Sequence, residues 1–155
     1  MTGPYDGRVS GVVEQIAISA ERGGLPAPVP RVIAHAGHGL EGEYHWSDSP
    51  DAGQAITLIA AEALEGLRED AGIALSHEAS RRNVLTRGID LNALVGRRFT
   101  VGAVECEGVE LCEPCNHLQS LTQPGVLRGL VHRAGLRADV LEGGTIAPGD
   151  VVRLA

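Results

Sequence analysis

The sequence predicts a mostly-β barrel with a few short helices, and three observations carry that expectation. Glycine occurs 21 times and proline 8 times in 155 residues, so regular runs are interrupted at short intervals, which favours short strands and turns over long helices. About eight apolar runs have strand length, against two or three of helical character, too few helices for a parallel α/β fold. The closing pattern Gly149-Asp150-Val151-Val152-Arg153-Leu154 leads a tight turn into a last strand, as barrel closure requires; closure also removes exposed sheet edges.

Taken in order, residues 12–19 read as a strand with Val12, Ile16 and Ile18 apolar, 22–28 as a turn and 29–34 as a second strand. Three glycines and two histidines in 37–45 mark a loop that brings backbone and polar groups close together. Residues 54–59 read as a strand and 60–71 as an amphipathic helix carrying Leu64 and Leu67 on one side. Ser76 is placed to cap a short helix that ends before Gly88. Residues 97–101 and 104–111 form a hairpin across Gly102, which delivers the chain to Cys112. Residues 136–141 and 151–154 complete the strands, joined by turns at Gly143-Gly144 and Pro148-Gly149-Asp150. With no linker, repeat or low-complexity tract, residues 1–155 are expected to form one domain.

A chain of this size buries roughly 70% of its unfolded surface and needs no disulfide staple. Its three cysteines are an odd number, and neither a charged-then-apolar leader nor an apolar run near membrane length is present. The expectation is a soluble, reduced, cytoplasmic protein. A net charge of -7 excludes a general nucleic-acid or anionic-membrane binder. The charge is uneven: segment 76–101 holds Arg81, Arg82, Arg87, Arg97 and Arg98 against Glu78 and Asp90, for +3, leaving -10 elsewhere, so a local anion site fits an acidic protein. All 13 basic residues are arginine, which excludes lysine Schiff-base chemistry, and with it covalent pyridoxal phosphate catalysis, within this chain.

The densest chemistry lies in Cys112-Glu113-Pro114-Cys115-Asn116-His117-Leu118. Two thiols, a carboxylate and an imidazole so close together point to metal or sulfur chemistry. Pro114 fixes its own φ and extends Glu113, so Cys115 should open a turn or helix as a presented residue. From the residues alone three uses stay open. Cys115 can be a soft thiolate ligand or sulfur carrier. Cys112 and Cys115, with two of Cys106, His117 or His132, can hold structural zinc, although one Cys-x-x-Cys pair is only half of a usual zinc pattern. Cys112 and Cys115 can also serve as a redox dithiol, outside the usual βαβ context.

An ordered series of short motifs then resembles the MOSC domain, named for the C-terminal domain of molybdenum cofactor sulfurases and found also as free-standing proteins. The series comprises Gly39-Leu40-Glu41-Gly42-Glu43-Tyr44-His45, Ile56-Thr57-Leu58-Ile59, Arg82-Asn83-Val84-Leu85, Leu94-Val95-Gly96, Glu113-Pro114-Cys115 and Arg133-Ala134-Gly135-Leu136-Arg137-Ala138. It ends with Gly143-Gly144-Thr145-Ile146 and Pro148-Gly149-Asp150. The resemblance implies a β-barrel, binding of the molybdenum cofactor (molybdopterin) or carriage of sulfur for it, and a functional thiol at Cys115. Some relatives reduce N-hydroxylated compounds with molybdenum on that cysteine. Two positions depart from the family: Glu43 stands where aspartate is usual, and Cys112 is an additional thiol.

The resemblance makes Cys115 both the catalytic thiol and the metal ligand. The phosphate on the cofactor's pterin suits arginine forks. Arg81, Arg82, Asn83 and Arg87 are one candidate cofactor-binding set, and Arg133 and Arg137 a second. His45 and His117 are candidate proton donors, because an oxygen-abstracting reduction consumes protons, with Glu41 and Glu113 as orienting partners. No flavin or iron–sulfur motif is readable, so a separate electron donor, or a cysteine desulfurase for sulfur carriage, is the expected partner.

Overall fold

A computed structural model describes residues 10–155. Its strands are β1 (Ser10–Ile18), β2 (Ala27–Val29), β3 (Val32–His35), β4 (Gly39–Leu40), β5 (Ile56–Ala60), β6 (Val84–Arg87), β7 (Arg98–Val101), β8 (Val104–Leu111), β9 (Leu136–Glu142), β10 (Gly144–Ile146) and β11 (Val151–Leu154). The helices are α1 (Ala61–Ala71), α2 (His77–Ser80), α3 (Asn116–Leu121) and α4 (Val126–Gly129), with a 3-10 turn at Leu91–Leu94.

Seven strands close into a barrel in the order β11-β7-β8-β9-β5-β6-β1, sealed by antiparallel pairing of β1 with β11. β1 is long enough to serve three partners. Its first residues face β11, its middle faces β6 across an irregularity between Val13 and Gln15, and Ile16 to Ile18 carry β2. β5 and β6 run parallel, and the chain between them forms α1 and α2, the crossover that parallel pairing requires. β10, β3 and β4 form a separate three-stranded sheet whose Val32, Ala34, Leu40 and Ile146 join the barrel core.

The core follows from strand alternation. β9 buries Leu136, Ala138 and Val140 while Arg137 and Asp139 face outward, and β8 buries Val104 and Cys106 by the same rule. Phe99, the single phenylalanine, is fully buried among them. A second, smaller cluster of Leu67, Ile73, Leu118, Val126, Leu130 and Ala134 seats α1, α3 and α4 outside the barrel.

Several sequence expectations need correction. The strand expected at 29–34 is two, because Pro30 lacks an N–H and the chain changes sheets there, β2 pairing with β1 and β3 with β10. The helix expected to run towards Gly88 is the single turn α2. Ser76 Oγ does cap it, accepting from Ala79 N at 3.1 Å, but Arg81 takes a left-handed φ of 63° and ends it. The alternating, β-branched Val84-Leu85-Thr86 that follows is barrel strand β6. The Gly143-Gly144 turn leads directly into β10. Helix α4, a single turn, was not anticipated, whereas α3 is the helix expected to open at Cys115. Among the described residues no helix is long and apolar enough to cross a membrane.

Candidate functional site

Strand ends build the site. β8 finishes at Leu111, and residues 112–115 run without regular secondary structure to the first turn of α3. Cys112 N donates to Gly135 O at 2.7 Å, which fixes the start of this segment. Cys115 is the N-cap of α3, with φ -137° and ψ 169°, and its Sγ accepts from Leu118 N at 3.4 Å. Buried Leu118 anchors that helix to the second core cluster, so packing holds the exposed thiol in place. Cys115, directly after Pro114, thus opens the helix as a presented residue, as the sequence suggested.

Arg82 holds the segment from behind. Its side chain is nearly buried yet meets no carboxylate among the described residues; it donates instead to backbone carbonyls, from Nε to Ala134 O (2.9 Å), Nη1 to Ser80 O (3.2 Å) and Nη2 to Cys112 O (3.0 Å). At the rim, Glu113 accepts from His132 N at 2.7 Å and from His132 Nδ1 at 2.6 Å. Partial burial pushes the Glu113 carboxyl up, but these His132 hydrogen bonds outweigh it and hold it below its usual range.

Asn83 is a joint between strands. Its Oδ1 accepts from Thr57 N and Thr57 Oγ1, both at 3.0 Å, and its Nδ2 donates to Ala17 O, tying β6 to β5 and β1 at the cleft wall. Arg81 donates from Nη2 to Gly24 O at 2.6 Å and so fastens the loop after β1 to the same wall.

The loop after β4 supplies the opposite wall. Glu43 is buried, and its Oε1 accepts from Ser19 N at 3.0 Å. Its Oε2 accepts from His45 N at 3.1 Å and from His45 Nδ1 at 2.5 Å. Burial alone would raise the Glu43 carboxyl; the hydrogen bonds from His45 and Ser19 prevail and bring it below its ordinary value. The Tyr44 ring lies over the His45 ring with centroids 4.0 Å apart.

These walls enclose a cleft of about 190 Å³ lined by Glu43, Tyr44, His45, Thr57, Arg81, Arg82, Asn83, Cys112, Cys115, His117, Leu118 and Arg137, with Pro26 at its edge. Arg137 projects from β9 opposite Thr57, with no acidic side chain in ion-pairing distance among the described residues. The cleft therefore gathers two thiols, the buried Cys112 and the exposed Cys115, with two imidazoles, three guanidiniums and one buried carboxylate.

Seven of the nine site residues singled out from sequence meet here: Cys115, His45, His117, Arg81, Arg82, Asn83 and Arg137. Two lie elsewhere. Arg87 is at the far end of β6 between Glu14 (2.5 Å) and Glu65 (2.6 Å). Arg133 turns onto α1, donating to Gly129 O at 2.7 Å and pairing with Asp70 at 3.1 Å. The orienting carboxylates also differ from expectation. Glu41 pairs with His35 and Glu113 with His132, whereas His45 is held by Glu43. Glu43 and Tyr44 were missed as cleft residues; the spacing Glu43-x-His45, which allows a carboxylate to reach the ring two residues on, was the available signal.

The alternative uses of the cysteines find no matching geometry. Cys106 lies in the barrel core, where burial first, then Asp139 and Glu105, pushes its thiol up to about 12. His132 is engaged with Glu113, and among the described residues no three His, Cys, Asp or Glu side chains converge to hold a metal ion. Cys112 and Cys115 are both free thiols, the first buried and the second exposed.

Known proteins place this architecture. The YuaD protein from Bacillus subtilis superposes with a TM-score of 0.80 at 17% identity, over 94% of this chain and 95% of that one. YiiM from Geobacillus stearothermophilus gives a TM-score of 0.65 at 15% identity over 96% of this chain and 74% of that one. YiiM from Escherichia coli gives 0.69 at 14% identity over 93% and 69%. No curated protein sequence matches the chain. At such identities the structures share the fold, and the MOSC domain model itself matches residues 35–153, a span that contains Glu43, His45, Arg82, Cys115 and Arg137. The chain belongs to the MOSC domain family, a family linked to molybdenum cofactor binding.

Proposed function

We propose that the cleft binds the molybdenum cofactor and that the protein reduces N-hydroxylated small molecules there. The observation that carries this reading is the convergence of one presented thiol, a carboxylate-held imidazole and three arginines on one cleft. The donor set fits the group: a metal in a pterin dithiolene arrives with sulfur ligands of its own, so Cys115 need supply only one more soft anionic ligand. At about 190 Å³ the cleft is smaller than the roughly 300–1,000 Å³ of sites that engulf a whole ligand, so it would enclose only part of the cofactor. Arg81 and Arg137 are suited to its phosphate. Arg82 acts differently, holding the Cys112 and Glu113 carbonyls so that Cys115 stays where it is presented.

When bound, the cofactor supplies two-electron, oxygen-abstracting chemistry. The overall change is R–NHOH + 2 e⁻ + 2 H⁺ → R–NH₂ + H₂O, with electrons from a separate reduced flavin or iron–sulfur protein. His45, once it has taken up a proton at Nε2, delivers that proton while Glu43 holds Nδ1, and His117 stands on the cleft as a second proton source. Free thiols at Cys106, Cys112 and Cys115 support a reducing, cytoplasmic setting.

The exposure of Cys115 favours one second reading, a sulfur carrier. A desulfurase persulfide would transfer its outer sulfur, E–S–SH + Cys115–SH → E–SH + Cys115–S–SH. Elemental analysis of protein made in hosts with and without molybdenum cofactor synthesis tests the leading proposal. About one molybdenum per chain, present only in the first host and lost with Cys115→Ala, supports it. No metal from either host, together with a 32 Da adduct on Cys115 after incubation with a desulfurase and cysteine, replaces it with the carrier.

A further inference from the structure

We infer that Glu43 is a positioning residue that fixes the His45 imidazole as its Nδ1–H tautomer, leaving Nε2 as the one ring nitrogen that meets the cleft. The inference deepens the proposed reaction and rests on it, since it says which atom of His45 exchanges protons with the cleft.

Glu43 is 6% exposed and, among the described residues, makes three hydrogen bonds, with Ser19 N, His45 N and His45 Nδ1. A carboxylate below its ordinary pKa has no proton to give, so the 2.5 Å contact at Nδ1 requires the ring nitrogen to be the donor. The loop cannot easily turn the imidazole over. Tyr44 N donates to Ser19 O at 2.8 Å, Gly42 takes a left-handed φ of 87°, and the Tyr44 ring covers one side of the imidazole. With Nδ1 occupied, Nε2 has no side-chain partner among the described residues, and the His45 side chain lines a cleft shared with Cys115. With Nδ1–H held by Glu43, proton exchange with the cleft falls to Nε2, which can take a proton and return it to a reacting group at the same atom.

The test uses nitrogen-15-labelled full-length protein without cofactor, with ring signals assigned by their loss in His45→Gln. Long-range proton–nitrogen correlations near neutral pH should show a protonated Nδ1 and an unprotonated Nε2. A dominant Nε2–H form in the wild type would overturn the inference. In Glu43→Ala, confirmed folded by circular dichroism, the balance should reverse towards Nε2–H; an unchanged tautomer would also overturn it. If that variant does not fold, the wild-type spectrum decides. In cofactor-loaded protein, a Glu43→Ala/His45→Ala double variant should be no slower than His45→Ala alone, whereas multiplied losses would show Glu43 acting other than through His45. A wild-type protein that never takes up cofactor would sink the proposed function and leave the tautomer result standing.

Discussion

Arg82 Nη2 donates to Cys112 O at 3.0 Å while Nε of the same guanidinium donates to Ala134 O at 2.9 Å, so one buried cation ties the segment leading to Cys115 to the start of β9. Charge normally buried with a carboxylate is here solvated by carbonyls. Removing it strands several acceptors together, each worth about 1–3 kcal/mol when buried and unpaired. Arg82→Ala should therefore destabilise by about 3 kcal/mol or more in urea unfolding. Arg82→Lys should recover little, because an ammonium cannot span carbonyls in the directions a planar fork reaches. Full stability in Arg82→Lys would show that charge alone matters.

The thiols should differ sharply in reactivity. Cys106 is buried with its thiol pushed up to about 12, Cys112 is 2% exposed, and Cys115 is exposed. Brief iodoacetamide treatment of native protein, read by peptide mass mapping, should modify Cys115 alone, and Cys115→Ser should leave the intact protein unlabelled. Labelling of Cys112 at a comparable rate would mean that the cleft opens further than the Arg82 contacts allow.

Buried His77 gives stability a pH dependence above the carboxylate range. Desolvation lowers its pKa from the ordinary 6.5, so the unfolded chain takes up a proton before the native protein does. Stability should then fall as pH drops below about 6.5 and flatten once the folded-state value is passed. His77→Leu should remove this slope. The contributions of Glu43 and Glu113, both lowered, have the opposite origin: they are present above the ordinary 4.5 and are lost as pH falls through the folded values. Chemical denaturation at a series of pH values separates the two windows, and a slope above pH 5 that persists in His77→Leu would assign it to another group.

Gly66, inside α1, should not behave as an ordinary helix glycine. Exchange for alanine at an exposed helical site gains up to about 1 kcal/mol. Here an added Cβ would lie 2.6 Å from Arg133 Nη1, which rests on the helix there. Gly66→Ala should be neutral or destabilising alone and stabilising in an Arg133→Ala background. Equal effects in the two backgrounds, read from melting curves, would show that the guanidinium moves aside freely.

Arg137 and Arg87 make a matched pair for ligand binding. Arg137→Ala should lower molybdenum content at unchanged fold. Arg87→Ala, which breaks exposed ion pairs worth about 0–1 kcal/mol, should leave content as it is. Equal loss from both would point to overall charge in place of a contact at the cleft.

The barrel was legible because its information is local: strand alternation, glycine and proline punctuation and the tight turn at Gly149 are each read within a few residues. Cys115 was legible for the same reason, Pro114 and the residues after it shaping their own backbone. What escaped was settled at a distance. β6 reads as the tail of a helix until Arg81 turns left-handed and Asn83 is claimed by Thr57 and Ala17. Arg87 and Arg133 look equivalent to Arg82 in composition, and only packing sends them to Glu14, Glu65 and Asp70. Glu41, Glu43 and Glu113 are all near a histidine in sequence, but Ser19, contributed by the end of β1, selects Glu43 for His45.

The seam between β1 and β11 sets the order of events during synthesis. Ser10 pairs with Arg153 and Val12 with Val151, so the first described strand waits for the last before its edge is covered. Contacts of such sequence separation form slowly once chain-closure entropy is counted. Until the ribosome releases residues 151–154, β1 and β7 present bare edges to their surroundings, and this interval is when the nascent protein is most open to β-sheet aggregation or to capture by a chaperone.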